Sequence, residues 1–376
     1  MKLSNYIFQT LVNKGLDTVF LVTGGGAMHL NDAIGRVKGL KFVCNHHEQA
    51  SAIAAEGYAR VANKPAILNV TTGPGGINAL NGVFGAFTDS IPMLVLSGQV
   101  KRETMLSSYN VSGLRQLGDQ EIEIVPMVKG ITKYAVTVTD PNTIRYHLEK
   151  ALYLATHGRP GPVWLDIPVD VQSAMVDEEQ LKGFDPSEVD AIDNSQLEKD
   201  VLTVIEKISN AERPVVIAST GIRLANAMQD FEEAIELLGI PVTTAWSHDV
   251  IHYNHPLYIG KQGSIGDRAG NFTVQNADVL FMIGTRMPIR QVSYNWENFA
   301  PSAYKIHVDI DKAELIKPTM KNDLPLNYDA KDFLQALIKA LKDNNNYNKS
   351  KYADWVDWCI ERKRKFPIVL PHHKNP

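Results

Sequence analysis

The chain is 376 residues long, which sets an expectation of two or three domains. With 44% hydrophobic and 21% charged residues it has the material for sizeable cores, and a disordered or low-complexity polymer is excluded. Lys and Arg number 38 against 42 Asp and Glu, so no basic excess points to a nucleic-acid partner; the two cysteines, Cys44 and Cys359, exclude a disulfide scaffold and fit a reducing, cytoplasmic setting.

From Leu3 to Asn13, apolar residues recur at helical spacing and Gly15 ends the run. Strand-like segments follow at Thr18–Val22, Phe42–Cys44, Ala66–Val70 and Met93–Ser97, separated by helical patterns over Met28–Val37, Glu48–Ala62 and Ile77–Phe87. That alternation predicts an α/β domain with a parallel sheet covered by helices on both faces. A helix over Pro141–His157 leads through a Pro/Gly turn into a strand at Val163–Ile167, taking the first domain to 172. Residues 173–198 are polar and acidic and read as a linker. A second, smaller parallel α/β domain is expected over 199–343. Its strands are Val215–Ala218, Pro241–Thr244, Val279–Ile283 and Lys305–Asp309, and its helices Ala225–Leu238 and Ala330–Leu341. Residues 344–376 read as a polar connector with one short amphipathic helix around Tyr352–Lys363. No run approaches the roughly 18 to 20 apolar residues of a membrane helix, so no membrane partner is expected.

The unusual residues gather in three loops that follow strands: Thr23-Gly24-Gly25-Gly26, Asn45-His46-His47-Glu48 and Thr71-Thr72-Gly73-Pro74-Gly75-Gly76. In parallel sheets such loops share one edge, where ligands bind. Glu48 opens a helix, where a first-turn carboxylate also has the plain role of satisfying backbone donors. His46 and His47 are adjacent in extended chain and point to opposite faces, which argues against a zinc pair, and no metal ligand is assigned. The Gly73 loop lacks the Lys-Ser/Thr of a P-loop, the Gly24 loop lacks the third glycine of a dinucleotide fingerprint, and no Gly-x-Ser-x-Gly elbow is present. An organic cofactor is the better expectation for an enzyme with this pattern.

Several blocks resemble the thiamine-diphosphate enzymes of the acetolactate synthase group. They are Asn45 to Ala50, Ala54 to Arg60, Lys64-Pro65, Thr72-Gly73-Pro74-Gly75 with Asn78, Asp89 to Pro92, and Ser97-Gly98-Gln99. Beyond residue 200 the resemblance continues in His255-Pro256-Leu257, in Gly260, Gly263 and Gly266 with Asn271, in Gly284-Thr285-Arg286 and in His307 to Asp311. The resemblance implies a thiamine-diphosphate-binding fold followed by a Rossmann-like central domain, with decarboxylation and carboligation of a 2-keto acid such as pyruvate as the activity. Transferase or lyase chemistry and branched-chain amino acid biosynthesis are the corresponding setting.

By the same resemblance, Glu48 hydrogen-bonds the aminopyrimidine of thiamine diphosphate and promotes deprotonation of its thiazolium carbon, and Gln120 lies near the reacting centre. Pro74 and Asn78 line the pyrimidine, beside Gly24 and Gly25. FAD contacts would fall on Gly260, Gly263, Arg286 and Asp309, and a homodimer or tetramer is implied. Departures are Val22-Thr23 where acetolactate synthases have Tyr-Pro, His46 where they have an arginine, and Ser219-Thr220 in a usually glycine-rich turn. The family's Gly-Asp-Gly, which holds Mg2+ and the diphosphate in a third domain, does not occur in the sequence. The expectation is therefore a fragment or subunit that needs such a domain; the alternative is a non-catalytic nucleotide-binding or regulatory protein of the same fold.

Overall fold

The computed structural model describes residues 1–246 and 249–373. It divides into two compact units, Met1–Asp190 and Ala191–Pro376, nearly equal in length. Positions 374–376 of the expected C-terminal connector lie outside the described residues.

The first unit holds six parallel strands: β1 (Thr18–Leu21), β2 (Lys41–Cys44), β3 (Ala66–Val70), β4 (Met93–Gln99), β5 (Tyr134–Thr137) and β6 (Pro162–Pro168), in the order β2-β1-β3-β4-β6-β5. Every residue of β3, β4 and β6 is buried, which is why these strands read as largely apolar runs rather than alternating ones, with the polar Asn69, Ser97, Gln99 and Asp166 buried among them. Helices α1 (Leu3–Asn13), α2 (Met28–Arg36), α3 (Glu48–Ala62) and α4 (Pro74–Thr88) connect or flank them. Helix α4 begins three residues before the expected start because Pro74 takes its first turn, where a missing N–H costs nothing. Strand β5 was not expected from the sequence; it is a four-residue, half-buried edge strand with no apolar run to announce it. The order reverses between β1 and β3, so the switch-point crevice opens between the Gly24 loop and the Gly73 loop.

The expected linker is not free chain up to Asp190. Met175 forms an antiparallel bridge with Lys2, and Val176 and Leu181 join the core of α1 and its neighbours. These isolated apolar anchors sit in an acidic stretch, so composition concealed them.

In the second unit, β7 (Pro214–Ala218), β8 (Val242–Thr244), β9 (Tyr258–Lys261), β10 (Val279–Ile283), β11 (Tyr304–Asp309) and β12 (Leu324–Asn327) form a parallel sheet ordered β12-β11-β10-β7-β8-β9. The edge strands β9 and β12, missed in the sequence, are four residues each and carry Gly260 and Pro325. Residues 344–373 pack onto this unit: Tyr352 Oη donates to the Ile208 carbonyl at 2.6 Å, Trp355 Nε1 to the Pro214 carbonyl at 3.1 Å, and Cys359 is fully buried. With this segment included, the second unit is nearly as long as the first. Among the described residues no helix is long and apolar enough to cross a membrane.

Candidate functional site

Strand β2 ends at Cys44 and the chain turns through Asn45 and His46 into α3, which delivers Glu48 to the carboxyl edge of the sheet. His47 caps this helix, its Nδ1 accepting from the Gln49 N–H at 3.1 Å, so the helix terminus does not depend on Glu48. Glu48 is only 9% exposed, and its Oε2 accepts from Asn78 Nδ2 of α4 at 3.0 Å. One turn earlier on α4, a Cβ at Gly75 would stand 3.4 Å from Glu48 Oε1. A Cβ there would also collide with Thr71, so the α4 backbone packs closely beside the carboxyl with no room for a side chain.

Gly73 explains why this loop is glycine-rich. Its φ is +59°, and a Cβ there would collide with the carbonyl oxygen of Gln120, which itself has φ +59°. The segment carrying Gln120 therefore lies directly on the Gly73 backbone. Glu121 holds that segment in shape: its carboxylate accepts from the backbone N–H groups of Leu106, Leu117 and Gly118. Pro74 and Gln120 are exposed. Gly24 and Gly25 open the turn after β1, joined to the Gly73 loop where the Gly26 N–H donates to Thr71 Oγ1 at 3.1 Å; a side chain at Gly24 would meet Thr71, whereas beside Gly25 there is open space. The structure thus brings Glu48, Asn78, Pro74 and Gln120 together, with Gly24 and Gly25 one loop away. Beside them, a cleft of about 570 Å³ is lined by His47, Gln49, Ile77, Asn78, Phe84 and Met127 among others.

Sequence reasoning missed the support beneath these loops. Asp166 of β6 is fully buried and accepts from Ser97 Oγ at 2.6 Å, Gln99 Nε2 at 3.1 Å and Thr137 Oγ1 at 3.2 Å. Among the described residues no cation offsets the loss of water, and burial pushes its carboxyl up to about 7. A lone Asp within the strand Val163-Trp164-Leu165-Asp166-Ile167 was the available signal.

In the second unit, Gly260 and Asp309 fall at the ends of β9 and β11, along the carboxyl edge, with Gly263 just beyond β9 and Arg286 in the loop after β10. The close approaches at Gly260 and Gly263 are made by this chain's own Asp267 carboxyl and Arg290 carbonyl. Asp309 Oδ1 accepts from the Asp311 N–H at 2.9 Å, and the Arg286 carbonyl accepts from Lys317. Between the two glycines, the Gln262 carboxamide is 2% exposed and neither of its ends has a partner among the described residues. An orphaned amide of that kind fits a polar ligand at this edge. At the switch point between β7 and β10, the Gly221 N–H donates to the Gly284 carbonyl at 3.0 Å.

Comparison with known proteins agrees with both units. Residues 1–124 match the family model described as thiamine pyrophosphate enzyme, N-terminal TPP binding domain, and residues 201–337 match thiamine pyrophosphate enzyme, central domain. The acetolactate synthase large subunit of Lactococcus lactis is 33% identical over 377 residues, covering 97% of this chain and 61% of that protein. The chloroplastic acetolactate synthase of Arabidopsis thaliana is 32% identical over 374 residues, 97% of this chain and 53% of its own length. The isozyme 3 large subunit of Escherichia coli is 30% identical over 358 residues, 93% of this chain and 59% of that protein. The chain thus spans between about half and three fifths of the length of these relatives. With Glu48 at the switch-point edge of the first unit and a central-domain match over most of the second, the chain belongs to the thiamine pyrophosphate enzymes, carrying their N-terminal and central domains.

Proposed function

We propose that this chain contributes the pyrimidine side of a thiamine diphosphate site to an acetolactate synthase-like enzyme that decarboxylates a 2-keto acid such as pyruvate and joins the product to a second carbonyl compound. The observation that carries this reading is the buried Glu48 carboxyl, oriented by Asn78 at the carboxyl edge of the sheet beside the Gly73 loop. When bound, thiamine diphosphate supplies the electron sink that a 2-keto acid needs to lose carbon dioxide. The chain's own residues bind and orient. Glu48 holds or moves a proton at its carboxyl beside the pyrimidine, Asn78 keeps the carboxyl in place, and Pro74 and the Gly24 and Gly25 backbone shape the walls. Gln120 presents an exposed carboxamide. The diphosphate and Mg2+ are assigned to residues outside this chain, in keeping with the lack of Gly-Asp-Gly in the sequence.

Two further parts belong to the reading. Helices α3 and α4 expose Ile53, Ile77, Phe84 and Phe87 around the cleft, an apolar face suited to a second copy in a homodimer or tetramer. The orphaned Gln262 amide supports a flavin nucleotide such as FAD along the carboxyl edge of the second unit, where Gly260, Gly263, Arg286 and Asp309 would line it. Two unpaired cysteines, Cys44 and Cys359, suit a cytoplasmic setting.

The test is turnover of pyruvate by the assembled enzyme containing this chain with Glu48→Gln. A fall of roughly 10²- to 10⁴-fold with cofactor binding retained is expected for loss of a proton-transfer group, and unchanged turnover overturns the assignment. An absorbance spectrum of the purified protein checks the flavin separately, since a colourless protein removes FAD.

A further inference from the structure

Gln99 ends β4 and is 2% exposed, yet it is the most fully engaged side chain near the site. Its Oε1 accepts from Thr72 Oγ1 and from the Val100 N–H, both at 2.9 Å. Its Nε2 donates to the Ile122 carbonyl at 2.8 Å and to Asp166 Oδ2 at 3.1 Å. Val100 N–H can only donate and the Ile122 carbonyl can only accept, so the amide has one orientation that satisfies both. Thr72 immediately precedes Gly73, and Ile122 follows Gln120 by two residues. One carboxamide therefore ties together the two loops that meet where Gly73 lies under the Gln120 carbonyl.

Asp166 fixes that carboxamide from behind. It lies in register with Ser97 of β4 and Thr137 of β5, so three neighbouring strands present their polar groups at one level, and Trp164 Nε1 donates to Ser97 Oγ at 2.8 Å. Burying a carboxyl among apolar strands is costly, and here every group facing it is a neutral donor, from Ser97 and Gln99 on one strand and Thr137 on the other.

We infer that Gln99, oriented by Asp166, is a positioning residue that sets the spacing of the Gly73 loop and the Gln120 loop at the Glu48 pocket. The inference rests on reading that pocket as the reacting site, but the arrangement it describes is independent of any cofactor. Gln99 and Asp166 are both buried and act through Thr72 and Ile122. Loss of the carboxamide leaves both loops attached at their strand ends and releases their facing sides.

Amide hydrogen exchange on the full chain tests this without cofactor or turnover. The reporters are Gly75 and Ile77, in the first turn of α4 and bonded back to Thr72 and Gly73 of one loop, and Gly118 and Glu121 in the other, all hydrogen-bonded in the structure. Gln99→Glu keeps the shape but removes both Nε2 donors and sets a second acid against Asp166. Exchange should quicken roughly tenfold or more at all four reporters while β3 and β4 remain protected. Wild-type protection in either loop overturns the inference. Should Gln99→Glu lose protection across the whole unit, Thr72→Val decides. It removes one link only, so Gly75 and Ile77 should quicken while Gly118 and Glu121, still tethered through Ile122, should not; equal effects on both loops overturn the inference. The double variant Gln99→Glu with Asp166→Asn exchanges acid and amide between the two positions. It should restore protection at Gly75 and Ile77 but not at Gly118 and Glu121, because the Ile122 carbonyl still lacks its donor, and no recovery in the first loop overturns the role given to Asp166. Unchanged turnover in Glu48→Gln would overturn the functional reading and leave these exchange results standing.

Discussion

Gly73 and Asp166 show how single positions hold the site in shape. At Gly73 a positive φ coincides with a backbone pressed against the Gln120 carbonyl, so Gly73→Ala meets both a strained conformation and a collision. A loss of about 2 kcal/mol or more is expected in urea unfolding, where Gly25→Ala, with open space around its Cβ, should cost under about 1 kcal/mol. Asp166 makes the pH dependence. Its folded value near 7 is raised above the unfolded carboxylate value, so the folded state binds the extra proton between about pH 4 and pH 7. Stability from this group is then present at low pH and lost as pH rises towards 7 and above, by at most about 4 kcal/mol. Urea unfolding of Asp166→Asn at pH 5 and pH 8 should lack this decline, and an unchanged slope would remove Asp166 as its source.

Helices α3 and α4 illustrate the next level of organisation. Gly82 of α4 lies so close to α3 that a Cβ would stand 2.5 Å from Ala52 Cβ and 2.8 Å from the Ile53 nitrogen. This backbone-to-backbone approach brings Asn78, one turn before Gly82, within reach of Glu48 at the start of α3. Gly82→Val should force the helices apart, lowering stability by roughly 2 to 4 kcal/mol and weakening the Asn78–Glu48 contact. Chemical-shift changes at the two side chains and a thermal melt check both effects. Small residues on facing helices are visible in Ala50 to Ala55 and Gly75 to Gly82, although their pairing across 30 positions is not.

For the molecule as a whole, each unit has its own sheet and buried core, so residues 1–190 and 191–376 expressed separately should each unfold in a cooperative transition. Within the second, Trp355→Ala should cost about 3 to 5 kcal/mol, because the ring is 7% exposed and its Nε1 bonds the start of β7. A negligible cost would return residues 344–373 to the role of a connector. The proposed second copy on α3 and α4 is tested by Phe84→Glu, which should shift the protein towards monomers in light scattering.

Periodicity and loop chemistry are local properties, and the sequence carried them well. The alternation of strand and helix, the span of α1, α3, β3 and β10, and the gathering of the Glu48 and Gly73 loops at one sheet edge could be read from neighbouring residues, whereas Asn78 was named only through the family resemblance. Short edge strands escaped because four residues flanked by polar chain leave no period to detect. The packing of 173–190 and 344–373 escaped because a few apolar anchors in polar segments reveal nothing until their partners are in place. The joining of Thr72, Gln99, Ile122 and Asp166 depends on strand order and register, through hydrogen bonds that span 23 to 67 positions; bonds of that reach are set by the folded topology and leave no mark on local sequence.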